Sequence, residues 1–329
     1  MRNRSWMLSA IVCGMSLTTV ASAQMTSEQV QARLNTMKTL HVEVIDEGQG
    51  AKKQYKLQVE QGARQTIEMR TEQKMSMTAD GVPAPAPATP GVVVTMNVVA
   101  EEVEKDGGFW YTATVTKADA EETPGVPPMV LEATRQALAQ MKGTVERGYM
   151  TARGLTDMTK SKMDLPDDAD EDMKAMMDQL GSLSNSGIPL PSSPIGIGAV
   201  WEMSNSMDIM GATIDTLARY TLLNVQGDTI NVSVTMYQIA SNQTMENPQL
   251  PPNMTMLIER MFGVTNGTAT VDLTRPMVLL SDARGTTNMD ISIDMGVMKQ
   301  SISQRVDSGV FIKTIEEGRG ADDVGATSY

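Results

Sequence analysis

The chain has 329 residues, 41% hydrophobic and 20% charged, which is enough apolar content for a globular core. Its formal charge of −13 argues against nucleic-acid binding and against adsorption on anionic lipid, since both need clustered Lys and Arg. One His and one Cys, against 29 Met, nearly exclude zinc sites, Cys/His catalysis and a disulfide scaffold.

Residues 1–23 have the form of a signal peptide. Arg2 and Arg4 supply the positive start, Trp6 to Val20 is mostly apolar, and Ala21-Ser22-Ala23 offers a small-x-small cleavage site. The apolar run falls short of the ~20 residues a helical span needs. Cys13 lies too early for a lipid attachment site, and Val12 stands where a small residue is expected. Cleavage before Gln24 removes the single Cys and two of the 27 basic residues, leaving a Cys-free chain of charge −15. That points to a periplasmic or extracellular location. No later segment reaches the length of a membrane-spanning helix, so no transmembrane segment is expected after cleavage. Four Asn-x-Ser/Thr tripeptides, at Asn231, Asn242, Asn253 and Asn266, carry no weight without other signs of a glycosylating compartment.

Thr26-Ser-Glu-Gln29 matches a capping box, and Val30, Leu34 and Met37 follow at helical spacing, so a short helix is expected over 26–38. The period then changes to two. Tyr55, Leu57 and Val59 alternate with polar residues over 54–60. Over 65–79, Ile67, Met69, Thr71, Gln73, Met75 and Met77 alternate with Thr66, Glu68, Arg70, Glu72, Lys74 and Ser76. Both read as strands with one wet face. Residues 82–91 are a Pro/Ala-rich loop. Strands at 92–103 and 109–116 flank Glu104-Lys-Asp-Gly-Gly108, a hairpin signal.

Pro127-Pro128 predicts a helix to about Met141, stopped by Gly143. A strand pair is expected at 143–154, an acidic helix near 169–180, and a loop at 184–194. The second half repeats the first. Tyr220–Val225 and Ile230–Met236 form a hairpin about Gln226-Gly-Asp228, Pro251-Pro252 predicts a second helix to about 262, and a strand follows at 267–275. Met289, Ile291, Ile293 and Met295 alternate in a further strand. Met298, Ile302 and Val306 either continue it or mark a helical turn, and Asp307-Ser-Gly309 turns into Val310-Phe-Ile312.

The predicted fold class is therefore mainly β with helices (α+β): a curved antiparallel sheet with helices packed on one face, built by internal duplication of a hairpin-helix-strand unit. The predicted organisation is a signal peptide at 1–23, one β-rich domain at 24–315 with related halves at about 40–160 and 195–312, and a disordered tail at 316–329.

Residues 28–81 pass from a short helix through Met37-Lys-Thr-Leu40 into two-faced strands ending Met75-Ser-Met-Thr-Ala-Asp-Gly81. This resembles the start of the LolA/LprG-like envelope carriers, whose curved sheet wraps helices and holds an acyl chain. From 91 to 312, Met141-Lys-Gly143 to Gly154 and Pro194-Ile-Gly-Ile-Gly-Ala-Val-Trp201 resemble an uncharacterised family of exported bacterial envelope proteins. The resemblances imply a β-rich envelope protein and carriage of an apolar ligand.

No Gly-x-Ser-x-Gly, His-Glu-x-x-His or phosphate-cradling Gly loop occurs, so the chain is read as non-catalytic. Asp164–Asp172 lacks the spacing of a calcium loop. Met69, Met75 and Met77 share a strand face, Met203, Met207 and Met210 cluster later, and Met173, Met176 and Met177 lie on the acidic stretch. Thioethers bind Cu(I), but Met more often fills a core or lines an adaptable apolar pocket. No cofactor or metal is assigned. The candidate ligand lining is Met69, Met75, Met77, Trp110, Trp201 and Met203, and the candidate partner is an apolar small molecule or lipid. The rival reading is a structural or protein-interaction module of the envelope. Few aromatics, together with helices near 128–141 and 252–262, weigh against an outer-membrane barrel.

Overall fold

A computed structural model describes residues 24–157, 159–160, 162–164, 187–209, 211–245, 254–294, 296 and 299–318. The helices are α1 (Ser27–Leu34) and α2 (Pro128–Gln140). The strands are β1 (Val42–Asp46), β2 (Gln49–Lys53), β3 (Arg64–Ala79), β4 (Val82–Ala84), β5 (Gly91–Val103), β6 (Phe109–Glu121), β7 (Val145–Met150) and β8 (Lys162–Asp164). After them come β9 (Ile195–Ile197), β10 (Val200–Ile209), β11 (Ala212–Gln226), β12 (Thr229–Met245), β13 (Thr255–Asp272), β14 (Leu280–Asp294) and β15 (Lys299–Gly318).

Thirteen strands form one sheet in the order β1-β10-β11-β12-β13-β14-β15-β3-β5-β6-β7-β8, with β4 beside β3. β2 and β9 pair separately. Every pairing is antiparallel. The hairpins fall where their turn signals stand. Gly107 closes β5–β6 and Gly227 closes β11–β12, both with the positive φ that glycine adopts without a Cβ clash.

One row of paired residues shows how the core is made. Leu222, Val232, Ala269, Ser281, Ile312, Met69 and Val94 face one another across seven strands. Six of them, all but Ser281, belong to a single buried cluster. Trp201 from β10 and Tyr111 from β6 join the same cluster, so the sheet curves around it. Tyr55, Leu57 and Val59 enter it too. Their segment is not a strand, as 54–60 was expected to be. It is extended chain held by Leu57 N–H to Ala152 O and Gln58 N–H to Leu273 O. The alternation correctly gives burial, because any extended segment turns successive side chains to opposite sides.

The α+β expectation is overturned. The described residues are 62% strand and 8% helix, and the two short helices do not share a face. α2 sets Leu138 into the main core, next to β6. α1 sets Val30 against Leu217, Tyr237 and Ile239 on the opposite face. Its capping box forms as predicted: Thr26 Oγ1 accepts from Gln29 N–H, and the Gln29 side chain accepts from Thr26 N–H.

The helix predicted at 252–262 is strand β13 from Thr255 onward, so the second copy of the hairpin-helix-strand unit lacks its helix. The expectation rested on Pro251-Pro252, and the strand that follows carries a β-bulge between Ile258 and Arg260 that hides its alternation. A bulge inserts one residue and flips the alternation. Met256, Ile258 and Met261 thereby share a face, with an Ile258-to-Met261 step of three that imitates helical spacing. Asp307-Ser-Gly309 is likewise no turn, since β15 runs straight through it paired to β14 and β3. The Pro/Ala loop starts later than expected, because Val82–Ala84 pair with β3. Residues 316–318, assigned to the tail, belong to β15. The signal peptide, most of the acidic stretch with its helix, and 319–329 lie outside the described residues.

The dry and wet assignment for β3 gives a direct test. Met69 is buried, whereas Glu68 faces solvent and pairs with Lys313 at 2.7 Å. Met69→Ala is expected to cost about 2–5 kcal/mol. Glu68→Ala is expected to cost about 0.5 kcal/mol or less. Urea midpoints measure both, and equal costs would mean the register is wrong.

Candidate functional site

The six candidate residues do not form one site. Met69 lies in the solid part of the core, 5% exposed. Trp201 is fully buried, donates from Nε1 to Pro189 O at 2.6 Å, and stacks on Tyr220 at 5.6 Å between ring centroids. Burial raises the Tyr220 phenol above its ordinary pKa. Met203 packs beside this group. Trp110 faces away from the core. It meets Tyr149 edge-on at 5.3 Å and carries Arg147 over its ring at 5.0 Å. Burial first, then a hydrogen bond to Glu104, pushes the Tyr149 phenol up to about 12. These aromatic groups have protein partners already and offer no open stacking face of their own.

Met75 and Met77 differ from the other four. Strand β3 continues beyond Met69 toward the other end of the sheet, and there the core face is only half-buried. Met77 pairs with Gln304, which pairs with Met289, which pairs with Met261. One row further, Ala79, Ile302, Ile291 and Ile258 follow in the same way. The last row brings Ile293, Met256 and Met245 together. Met207, Met245, Met261 and Met289 all pack around the small buried cluster of Ala212, Ile214, Ala240 and Ile258. The result is a continuous methionine and isoleucine strip running from β10 to β3.

Gln304 is the polar member of that strip, and its amide sits 3.1 Å from the Met75 sulfur. Sequence reading found Met75 and Met77 but missed Met256, Met261 and Met289 as their neighbours. Their proximity comes from pairing β3 with β15, across more than 220 residues. Among the described residues no group of three His, Cys, Asp or Glu side chains is placed to hold a metal.

No family model matches the chain, and no curated protein matches it. Among solved structures it is similar to the outer membrane protein OprG from Pseudomonas aeruginosa, at 8% identity. That match covers 78% of this chain and 96% of OprG, with a TM-score of 0.24. A likeness this small carries no argument about function.

The expectation of no transmembrane segment needs correcting on other grounds. It rested on apolar helical length. No helix among the described residues is long and apolar enough to cross a membrane, but that says nothing about strands. The chain is built from strands of up to 20 residues, and strands cross bilayers as closed barrels. One ground for setting a barrel aside, a helix near 252–262, is removed by β13.

Proposed function

We propose that this is an exported, non-catalytic envelope protein that binds an apolar ligand of the acyl or lipid type along the methionine strip. The observation that supports this reading is the strip itself, three rows of mainly apolar side chains, most of them half-buried around the small buried cluster of Ile258, at one end of a sheet whose other end is solidly packed. Unbranched thioether side chains adapt to varied apolar shapes, so such a surface suits a flexible chain better than one rigid molecule. Magnitudes bound the affinity. Burying fourteen methylenes is worth about 11 kcal/mol, and association costs at least about 4, so a binding constant no tighter than micromolar is expected.

The test is titration with a dansylated fatty acid, with an unlabelled acyl lipid as competitor. The folded protein should show saturable binding that the competitor displaces. Replacing Met75→Lys and Met77→Lys together should weaken binding at least tenfold while circular dichroism stays unchanged. Both positions are half-buried, so the lysine stems can reach water without breaking the core. Absence of saturable binding by the wild type would leave the rival reading, a structural module of the envelope.

A further inference from the structure

The opposite face of the same strands carries a second concave feature of different chemistry. Over β13, β14, β15 and β3 lie two adjoining cavities of about 720 and 580 Å³. They share Phe262, Asn288 and Arg305, so they form one groove. The N-terminal end of α1 is one wall, with Gln24 lining the first cavity and Ser27 the second. Thr123 lines the first cavity beyond β6. Pairing fixes the floor: Val264, Thr286, Asp307 and Lys74 form one row, and Phe262, Asn288, Arg305 and Ser76 form the next. Four strands give a width of about 14 Å, and the six-residue step from Glu72 to Thr78 gives a length of about 20 Å.

The arginines on this floor are paired internally, and Lys74 lies near the Asp307 carboxylate. Arg260 meets Asp290 at 2.6 Å, Arg305 meets Asp307 at 3.0 Å, and Arg284 lies 3.6 Å from Asp282. Asp307 also accepts from Thr286 Oγ1 at 2.6 Å. Hydrogen bonds from Arg305 and then Thr286 hold its carboxyl below the usual carboxylate range, so it stays ionised and paired. Cations committed in this way create no net field for a phosphate or carboxylate ligand. An acyl chain is excluded by the lining, where Phe262, Val264 and Met77 are the apolar members among charged and amide groups. What remains is a set of groups able both to donate and to accept, in Asn266, Asn288, Thr286 and Ser303, around the half-buried ring of Phe262, which also stacks on Tyr237 at 6.5 Å between centroids.

We propose that this groove binds a neutral oligosaccharide of a few sugar units. Hydroxyls on both sides of a sugar ring need donors and acceptors in mixed array, and the apolar ring face needs an aromatic surface. The groove supplies both, over a span longer than one sugar. The floor of this groove lies on the face opposite the methionine strip, and Met77 and Gln304 are the strip residues that also touch the groove's end.

Calorimetric titration of the purified protein with chitotetraose, cellotetraose and maltotetraose tests it. At least one should give saturable binding. Asn288→Ala combined with Asn266→Ala should weaken it at least tenfold; both side chains are exposed, so the fold should be retained. The Met75→Lys variant, on the strip face and outside the groove lining, should bind the sugar within twofold of wild type. Inorganic phosphate at the same concentration should not compete. Failure of all three sugars to bind, displacement by phosphate, or unchanged binding in the Asn288/Asn266 variant would overturn the proposal.

Discussion

Trp201→Ala should destabilise the protein by about 3–5 kcal/mol, the range for truncating a large buried aromatic. The side chain is fully buried among Tyr220, Ala199 and Ile195, so its removal leaves a cavity that the curved sheet cannot close without moving β10. Against a total stability of about 5–15 kcal/mol, that is enough to unfold a marginal domain at room temperature. Trp201→Phe retains most of the volume but removes the donor to Pro189 O. The orphaned carbonyl should cost about 1–3 kcal/mol. A tryptophan that lined a ligand site would behave differently, costing little stability and abolishing probe binding. Chemical unfolding followed by circular dichroism, alongside probe titration, separates the two roles. A stability change below about 1 kcal/mol for Trp201→Ala would place this residue outside the core.

Glu202→Ala should cost about 3 kcal/mol or more and loosen α1 first. The Glu202 carboxylate has no solvent exposure and is held from both sides. Arg33, from the last turn of α1, donates through Nε at 2.6 Å. Arg219, from β11, donates through Nε at 2.8 Å and Nη2 at 2.5 Å. Arg33 reaches Glu43 on β1 as well, at 2.8 Å. Burial of the Arg33 guanidinium disfavours its charge, but hydrogen bonds and charge from Glu202, then Glu43, outweigh this and raise its pKa. Removing one partner of a buried ion pair typically costs 3–5 kcal/mol, because the remaining charge loses its compensation. The arginines keep some exposure, which places the expected value at the low end. Glu43→Ala, at an exposed pair, should cost about 1 kcal/mol or less. Hydrogen exchange should show faster exchange in Ser27–Leu34 for Glu202→Ala and little change for Glu43→Ala. Equal protection of α1 in both variants would contradict the clasp.

Local patterns were legible in the sequence wherever a short stretch decides the structure. The Thr26–Gln29 capping box, the Gly107 and Gly227 hairpins and the alternation about Met69 all depend on neighbouring residues, and all appear as read. Errors arose where alternation was interrupted or where polar residues carried a strand. The Pro251-Pro252 pair suggested a helix where β13 runs, and the bulge after Ile258 hid the strand's alternation. Asp307 looked like a turn residue, yet its carboxylate is occupied by Arg305 and Thr286 on the face of a long strand. Extended chain at 54–60 showed strand burial without strand pairing.

The candidate site was half legible. Met75 and Met77 could be placed on one face from their spacing, but Trp201 and Met69 look identical to them in a sequence. Whether an apolar side chain ends in a packed core or on an open strip depends on which distant strand covers it. Gln65 illustrates the same gap. Its amide is 2% exposed, donates to Val278 O and Thr314 Oγ1, and accepts from Met277 N–H, all more than 200 residues away. The alternation with Ile67 and Met69 puts it on the dry face, but nothing within reach along the chain shows the partners that satisfy its amide. The polar groove was hidden for a further reason. Its β3 residues Glu72, Lys74 and Ser76 occupy positions read only as the wet face, and α1 stands beside them as a wall.

Native mass spectrometry of the purified, gently ionised protein tests the central claim most directly. The account predicts bound species of lipid or fatty-acid mass, released on activation, and strongly depleted in the Met75→Lys, Met77→Lys variant. A bare protein mass throughout, with no uptake of added fatty acid by the folded wild type, would contradict it.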